Sequence, residues 1–256
     1  MVGNPDRDLV VALVASGSSE DAAASLENVG FADWTVALCA DQAAEDAFRE
    51  AGATTLLDSS ITVDRLLGPR GTLPTELYER AAGKWLLVLR SDERVSVEFR
   101  DELSERIPRL RPEDGAVAVP LRRYLVGAYL EHGGWGATQP RLFWISRDAD
   151  SGPCVLGDQG DDASGLPELV APLIQLGDRS LSDAMRSLNA TTDSEVLQAQ
   201  RPEGKFCPGR LLVSTAKIFL SSFVVRRGFR DGVPGLVASV FAAVEQLVVS
   251  AKQFER

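Results

Sequence analysis

The sequence LVVALVA at residues 9–15 is an uninterrupted apolar run, rich in β-branched residues and followed by the turn-forming sequence SGSS at 16–19. A short apolar run bounded by turn residues is typical of a strand buried on both faces, as in a parallel sheet. WLLVL at 85–89 has the same character, and shorter apolar runs lie at 35–39 and 54–57. These four runs predict the strands of one buried sheet.

Segments with helical character alternate with these strands, at 20–28, 42–51, 75–82 and 97–107. Such alternation is the signature of βαβ units and of a doubly wound sheet. In sheets of this kind ligands bind at the carboxyl ends of the strands. The expected functional segments are therefore 14–20, 39–46 and 90–94. Ser96 is expected to cap the helix that follows it.

The second half of the chain has a different pattern. Strands are predicted at 115–120 and 140–145, on either side of the glycine-rich loop HGGWG at 132–136. Residues 148–165 are acidic and loop-like, and from about residue 210 the pattern is helical and very apolar. The predicted organisation is an α/β domain at 1–205 with a helical tail at 206–256.

Composition excludes several classes of function. The formal net charge of −10 argues against a nucleic-acid partner, because binding phosphates needs a basic face. Three widely spaced cysteines give neither a disulfide framework nor a zinc site. The one histidine, His132, rules out an H-E-x-x-H metalloprotease helix, and no Walker A loop is present. The polar residues 1–8 contain no signal peptide, so a cytoplasmic location is expected.

Three stretches of this sequence resemble the inverting glycosyltransferases of the family-two type, which have the GT-A fold. They are KWLLVLRSDERVS at 84–96, GAYLEHGGWGATQPRLF at 127–143, and the sequence from RGFRDG at 227–232 to the C-terminus. The resemblance is strongest to small bacterial enzymes that glycosylate lipopolysaccharide core and other envelope acceptors. It implies a GT-A-like, doubly wound, mostly parallel sheet with a helical C-terminal tail, and a nucleotide-sugar partner.

The residues that the resemblance assigns to the donor depart from the family pattern. The first aspartate of the D-x-D element is Arg90 here, and only the last, Asp92, remains as a metal ligand. Glu93 follows it and is assigned to the donor site as well. Where the family's second strand delivers an aspartate to the nucleotide base, this chain has Cys39, with Asp41 as the nearest carboxylate.

Catalysis and metal use follow from the same comparison of motifs. The family's catalytic glutamate corresponds to Asp158, which is one methylene shorter. A divalent cation, Mg²⁺ or Mn²⁺, would have one carboxylate ligand in Asp92. Arg90 can neutralise phosphate in place of the cation, because a guanidinium pairs bidentately with phosphate. Weak dependence on metal, or none, is therefore expected.

On the acceptor side, the resemblance implicates His132, Trp135 and Arg141. Each of the first two residues has two interpretations. His132 is either an acid or base, or a structural hydrogen-bonding residue of the glycine-rich loop. Trp135 either stacks on a sugar ring or anchors the packing of the loop.

The C-terminal tail has 17 residues, 235–251, that contain a single charge, Glu245, and this length is marginal for a membrane span of about 20 residues. Arg226, Arg227 and Arg230 precede it. A helix that is apolar along its length and preceded by basic residues is suited to bind an anionic membrane surface or the groove of a partner protein. Docking on the chain's own domain, or on a second copy in a homo-oligomer, explains the pattern equally well. Peripheral association with the inner face of the membrane is the expectation that the resemblance favours.

Two main hypotheses of function remain open. In the first, the chain transfers a sugar from a nucleotide diphosphate to an envelope or secondary-metabolite acceptor, with inversion. In the second, it is an inactive homologue that serves as partner or scaffold for an active glycosyltransferase. A third hypothesis is that the cleft that binds the sugar donor in the family binds a different small ligand in this chain.

Overall fold

A computed structural model describes residues 9–15, 22–59, 61, 66–67, 72–125, 127–136, 138–147, 165–176 and 208–255. The chain divides into two compact units. Unit 1 comprises residues 1–121 and 138–174, and unit 2 comprises 122–137 and 175–256. The predicted boundary between residues 205 and 206 lies outside the described residues and stays a prediction.

The helices and strands are β1 (Leu9–Ala15), α1 (Ala22–Asn28), β2 (Trp34–Cys39), α2 (Gln42–Glu50), β3 (Thr54–Leu57), α3 (Thr75–Ala81), β4 (Lys84–Arg90), β5 (Glu93–Val95), α4 (Val97–Arg106), β6 (Ala116–Leu125), β7 (Ala128–Leu130), β8 (Thr138–Ile145), β9 (Leu173–Leu176), α5 (Pro208–Leu220) and α6 (Gly232–Glu255). A π-helical turn, Ser221–Val225, and a 3₁₀ turn, Gly228–Asp231, connect α5 to α6. The chain is thus a mixed α/β protein with a helical C-terminal segment, as the sequence predicts.

The strands form a sheet in the order β3-β2-β1-β4-β8-β6-β9-β5, with β7 paired to β6. Strand β1 pairs in parallel with β2 and β4, and β2 pairs in parallel with β3. These pairings confirm the prediction that the strands near 9–15, 35–39 and 85–90 are adjacent in a mostly parallel sheet. Strand β8 is antiparallel to both β4 and β6, an arrangement that apolar runs alone do not predict.

Burial of β1 on both faces explains its continuous apolar sequence. All seven of its residues are buried. Because successive side chains of a strand point to opposite faces, Leu9, Val11 and Leu13 pack in one cluster with Phe48 and Phe99. The alternate residues of β1, Val10, Ala12 and Val14, pack in a second cluster with Leu77 and Phe143. The sheet is therefore covered by an apolar layer on each face.

Side-chain caps fix where two helices of unit 1 begin. The Ser96 hydroxyl accepts a hydrogen bond from the Phe99 amide at 3.1 Å, which confirms the predicted cap of α4. At the start of α2, the Asp41 carboxylate accepts from the Ala44 amide at 2.8 Å. Asp41 follows shortly after the end of β2 and Ser96 directly after the end of β5, so the two caps also fix the direction in which the chain leaves these strands.

Unit 2 contains the end of β6, the strand β7 and the helices α5 and α6. Leu125, Leu130 and Ala238 form its small buried cluster, against which Trp135 and Val237 pack. Among the described residues, one helical stretch, Gly228–Lys252, is long and apolar enough to cross a membrane, with a mean hydropathy of 1.7. Core helices of soluble proteins can have the same length and composition. The regular helix is longer than the apolar run in the sequence, since α6 spans 24 residues.

The central position of β4 gives a test of the core. Leu87 is fully buried, whereas Leu57 on β3 is 48% exposed. We expect Leu87→Ala to lower the free energy of unfolding by about 3–5 kcal/mol, because a buried leucine truncation adds a cavity to the lost transfer energy. Leu57→Ala, the same chemical change at an exposed site, should cost less than about 1 kcal/mol. Urea unfolding followed by circular dichroism measures both, and equal losses would contradict this packing.

Candidate functional site

The order of the parallel strands creates a topological switch point in unit 1. From β1 the chain moves to β2 and β3 on one side, then returns to form β4 on the other side of β1. In open α/β sheets ligands bind at such a switch point, outside the carboxyl ends of the strands. Arg90, the last residue of β4, lies beside Val14, and the Ser91 amide donates to the Val14 carbonyl at 2.9 Å. The segment 90–92 therefore emerges at the switch point.

Arg90 and Asp92 form an ion pair at this edge. The Arg90 Nε atom lies 3.0 Å from Asp92 Oδ1, and the two side chains are 43% and 37% exposed. Both groups are accessible from solvent while each constrains the other's orientation. The structure thus brings together two residues that the sequence analysis assigned to the donor. The predicted divalent cation stays a prediction, and the described residues contain no cluster of three metal-ligating side chains.

Glu93 lies beneath this pair and is fully buried. Its Oε2 accepts a hydrogen bond from the Arg90 amide at 2.8 Å, and its Oε1 accepts one from the Arg141 guanidinium at 2.8 Å. Burial raises the pKa of Glu93, while the positive charge of Arg141 opposes that rise. The side chains of Glu93 and Arg141 are 0% and 3% exposed. Glu93 and Arg141, assigned by sequence to donor and acceptor sides, therefore meet as a buried ion pair that positions the end of β4.

The carboxyl end of β2 carries Cys39 and then Asp41. The Cys39 side chain is buried, and burial, with the nearby carboxylates of Glu45 and Asp41, raises the pKa of its thiol to about 11. The thiol is consequently protonated at neutral pH and is a poor nucleophile. Asp41 caps α2, as described above, and its predicted contact with a nucleotide base stays a prediction.

The glycine-rich loop lies in unit 2, where polar contacts tie it to the segment 226–231. His132 Nδ1 lies 2.7 Å from Oδ1 of Asp231, and the His132 amide donates to Oδ2 of the same carboxylate at 2.9 Å. The Gly133 amide donates to the Arg226 carbonyl at 2.8 Å. These contacts favour the structural interpretation of His132. Sequence reasoning missed Asp231 as its partner, although Asp231 lies in the RGFRDG motif.

Trp135 has packing contacts in the same unit. It packs against the apolar cluster of Leu125, Leu130 and Ala238, and the Arg123 guanidinium lies 5.8 Å from the centre of its ring. These contacts favour the anchoring interpretation of Trp135. Its stacking on an acceptor sugar, like the role of His132 as an acid or base, stays a prediction.

Two predicted parts of the site lie outside the described residues. They are the predicted catalytic base Asp158, with its acidic neighbours Asp161 and Asp162 in the sequence, and residues 16–21, which follow β1 in the sequence. The assignment of Asp158 as catalytic base is therefore a prediction from the sequence. No family model matches this chain.

The protonated state of Cys39 can be tested by thiol labelling. In a variant that carries Cys154→Ser and Cys207→Ser, we expect Cys39 to react with Ellman's reagent at pH 8 at least about 200-fold more slowly in the folded protein than in urea. The thiolate fraction alone accounts for this factor, because the folded pKa is about 11 and the unfolded pKa about 8.5. Equal rates in the two states would contradict the burial of Cys39.

The raised pKa of Glu93 predicts how stability changes with pH. An acid whose pKa is higher in the folded state than in the unfolded state binds more protons when folded, so its contribution to stability falls as pH rises. The window begins near the ordinary value of 4.5 and extends up to the raised folded value. We therefore expect the free energy of unfolding of the wild type, minus that of Glu93→Gln, to decrease as pH rises from 4.5 towards 7.

Urea unfolding of both proteins at a series of pH values measures this difference, and the comparison cancels the other titrating groups. Arg141 stays charged throughout the range, because arginine is always protonated in proteins. A difference that increases with pH would show that the attraction of Arg141 for the carboxylate outweighs the cost of burying it.

Proposed function

We propose that this chain is a GT-A-type, family-two-like glycosyltransferase that binds a nucleotide-diphosphate sugar at the carboxyl ends of β1 and β4. The reaction is transfer of the sugar to an envelope or secondary-metabolite acceptor, with inversion. The observation that supports this proposal is the solvent-facing pair of Arg90 and Asp92 at the switch point of the sheet. Its position matches both the general rule for ligand binding in α/β sheets and the resemblance of residues 84–96.

The chemistry of Arg90 and Asp92 favours a diphosphate whose negative charge is neutralised by the protein in place of a divalent cation. A nucleotide diphosphate carries about two to three negative charges, which divalent cations commonly neutralise. Arg90 offers a planar set of donors that matches two phosphate oxygens. Asp92 is engaged by Arg90 and is the single carboxylate that remains of the D-x-D element. Binding is therefore expected with weak metal dependence, or none.

In the transfer step the chain needs a base and an anion-stabilising group. Asp158 would remove the proton of the acceptor hydroxyl as its oxygen attacks the anomeric carbon, while the bond to the diphosphate breaks on the opposite side. The negative charge that develops on the leaving diphosphate would lie near Arg90. A fixed cation near developing charge lowers the barrier because it needs no reorganisation.

The alternative is an inactive homologue that serves as partner or scaffold for an active glycosyltransferase. The observation that favours it is the same ion pair, since Asp92 is occupied by a neighbouring side chain and Arg90 replaces a carboxylate. Such a protein would still bind at the switch point but would not transfer a sugar. Binding and turnover therefore have to be measured separately.

Titration calorimetry with UDP-, GDP- and TDP-sugars, in EDTA and in manganese, tests the proposed donor site. We expect one of these donors to bind, with a Kd that changes less than about threefold between the two conditions. Arg90→Ala should raise the Kd about 10- to 100-fold, the range for charge-assisted hydrogen bonds, and Arg90→Lys should retain part of the affinity. Arg109→Ala, at an exposed arginine of the same unit, is the matched control and should have no effect.

Donor binding that requires manganese and is lost in Asp92→Ala would contradict the role given to Arg90. Absence of binding to all three donors in both conditions would contradict the proposal that this chain binds a nucleotide-diphosphate sugar. Release of nucleoside diphosphate in the presence of acceptors then separates the two hypotheses. Turnover that Asp158→Asn abolishes without changing the Kd supports the enzyme, and binding without turnover supports the inactive homologue.

A further inference from the structure

The connection between α5 and α6 exposes an unusual number of large apolar side chains. We call residues 220–233 the hairpin tip. Its exposed apolar residues are Leu220, Val224, Val225, Phe229 and Val233, of which Val225 and Val233 are 75% and 72% exposed. Single exposed apolar residues are ordinary, but clusters of them mark interaction surfaces. The hairpin tip is therefore expected to contact something other than water.

Three exposed arginines, Arg226, Arg227 and Arg230, lie within the same segment. The described residues include no ion-pair partner for any of them, although the whole chain has a net charge of −10. An acidic protein thus concentrates positive charge where it also exposes apolar side chains. This combination is complementary to a surface that is both apolar and anionic.

Local contacts hold the hairpin tip in a defined conformation. The Arg226 amide donates to the Ser221 carbonyl at 2.8 Å, and the Arg227 amide donates to the Val224 carbonyl at 3.1 Å. Gly228 lies so close to the preceding turn that a Cβ there would be 2.7 Å from the Ser222 carbonyl oxygen. Because the segment is already ordered, binding through it requires little additional loss of conformational entropy.

We propose that the hairpin tip docks on an anionic lipid bilayer surface. Val225 and Phe229 enter the boundary between headgroups and acyl chains, and the arginines lie at the level of the lipid phosphates, where their apolar stems remain in contact with lipid. A second copy of the chain is a less favourable occupant. In a symmetric dimer formed through this patch, the three arginines would face their own copies, and like charges repel.

Sedimentation of the full-length protein with vesicles tests this proposal. We expect binding at low salt to vesicles of phosphatidylcholine mixed with phosphatidylglycerol, little binding to phosphatidylcholine alone, and steep weakening as salt is added. Each arginine near an anionic surface contributes a factor of about five, so Arg227→Glu with Arg230→Glu should weaken binding at least about 25-fold. Val225→Asp should also weaken it.

The matched control is Arg109→Glu with Arg111→Glu, which changes the net charge equally at exposed arginines of unit 1 and should weaken binding less than about threefold. Arg227→Lys with Arg230→Lys keeps the charge and should retain binding, which guards against a folding defect in the glutamate variant. No sedimentation with anionic vesicles, equal binding to neutral ones, or an equal loss in the control would overturn the proposal. So would a dimer in lipid-free sedimentation equilibrium that Val225→Asp dissociates.

Discussion

Burial of β1 on both edges and both faces is the constraint on which the rest of unit 1 depends. A strand in this position can carry only apolar side chains, and its backbone must pair with neighbours on each side. The chain meets this requirement by placing β2 on one edge and, much later in the sequence, β4 on the other. The return to β4 creates the switch point, so the same constraint that builds the core also locates the edge of the sheet at which Arg90 and Asp92 emerge.

Apolar packing alone does not orient the chain beyond the end of β4. Glu93 provides this orientation. One oxygen of its carboxylate accepts a hydrogen bond from the Arg90 amide, and the other accepts one from Arg141 of β8. Burying a carboxylate is unfavourable, and its hydrogen bonds offset only part of this cost. The polar contact is therefore better understood as a device that fixes geometry than as a source of stability. It leaves the adjacent Arg90 and Asp92 in a fixed position that faces solvent.

Local sequence patterns were sufficient to predict β1 to β4, the helices α1 to α4 and the edge of the sheet at which a site is expected, whereas the short strands β5, β7 and β9 were not predicted. Strand β1 follows from its apolar run, α4 from Ser96, and the segment 90–92 from the rule for strand ends. The pairing of Glu93 with Arg141, 48 residues apart, could not be predicted in this way. Nor could the pairing of His132 with Asp231, 99 residues apart. Such contacts depend on the topology of the whole chain, and periodicity or capping patterns carry no signal for them.

Close packing explains part of the C-terminal motif and leaves another part unexplained. Gly228 and Gly235 approach backbone atoms so closely that neither position has room for a Cβ, and Asp231 binds the glycine-rich loop of its own unit. These residues of RGFRDG and its continuation thus serve the fold of unit 2. Arg227 and Arg230 of the same segment have no ion-pair partner among the described residues, and its valines are at least half exposed. Exposing such apolar groups to water costs free energy. The anionic, partly apolar surface proposed above matches the chemistry of these side chains.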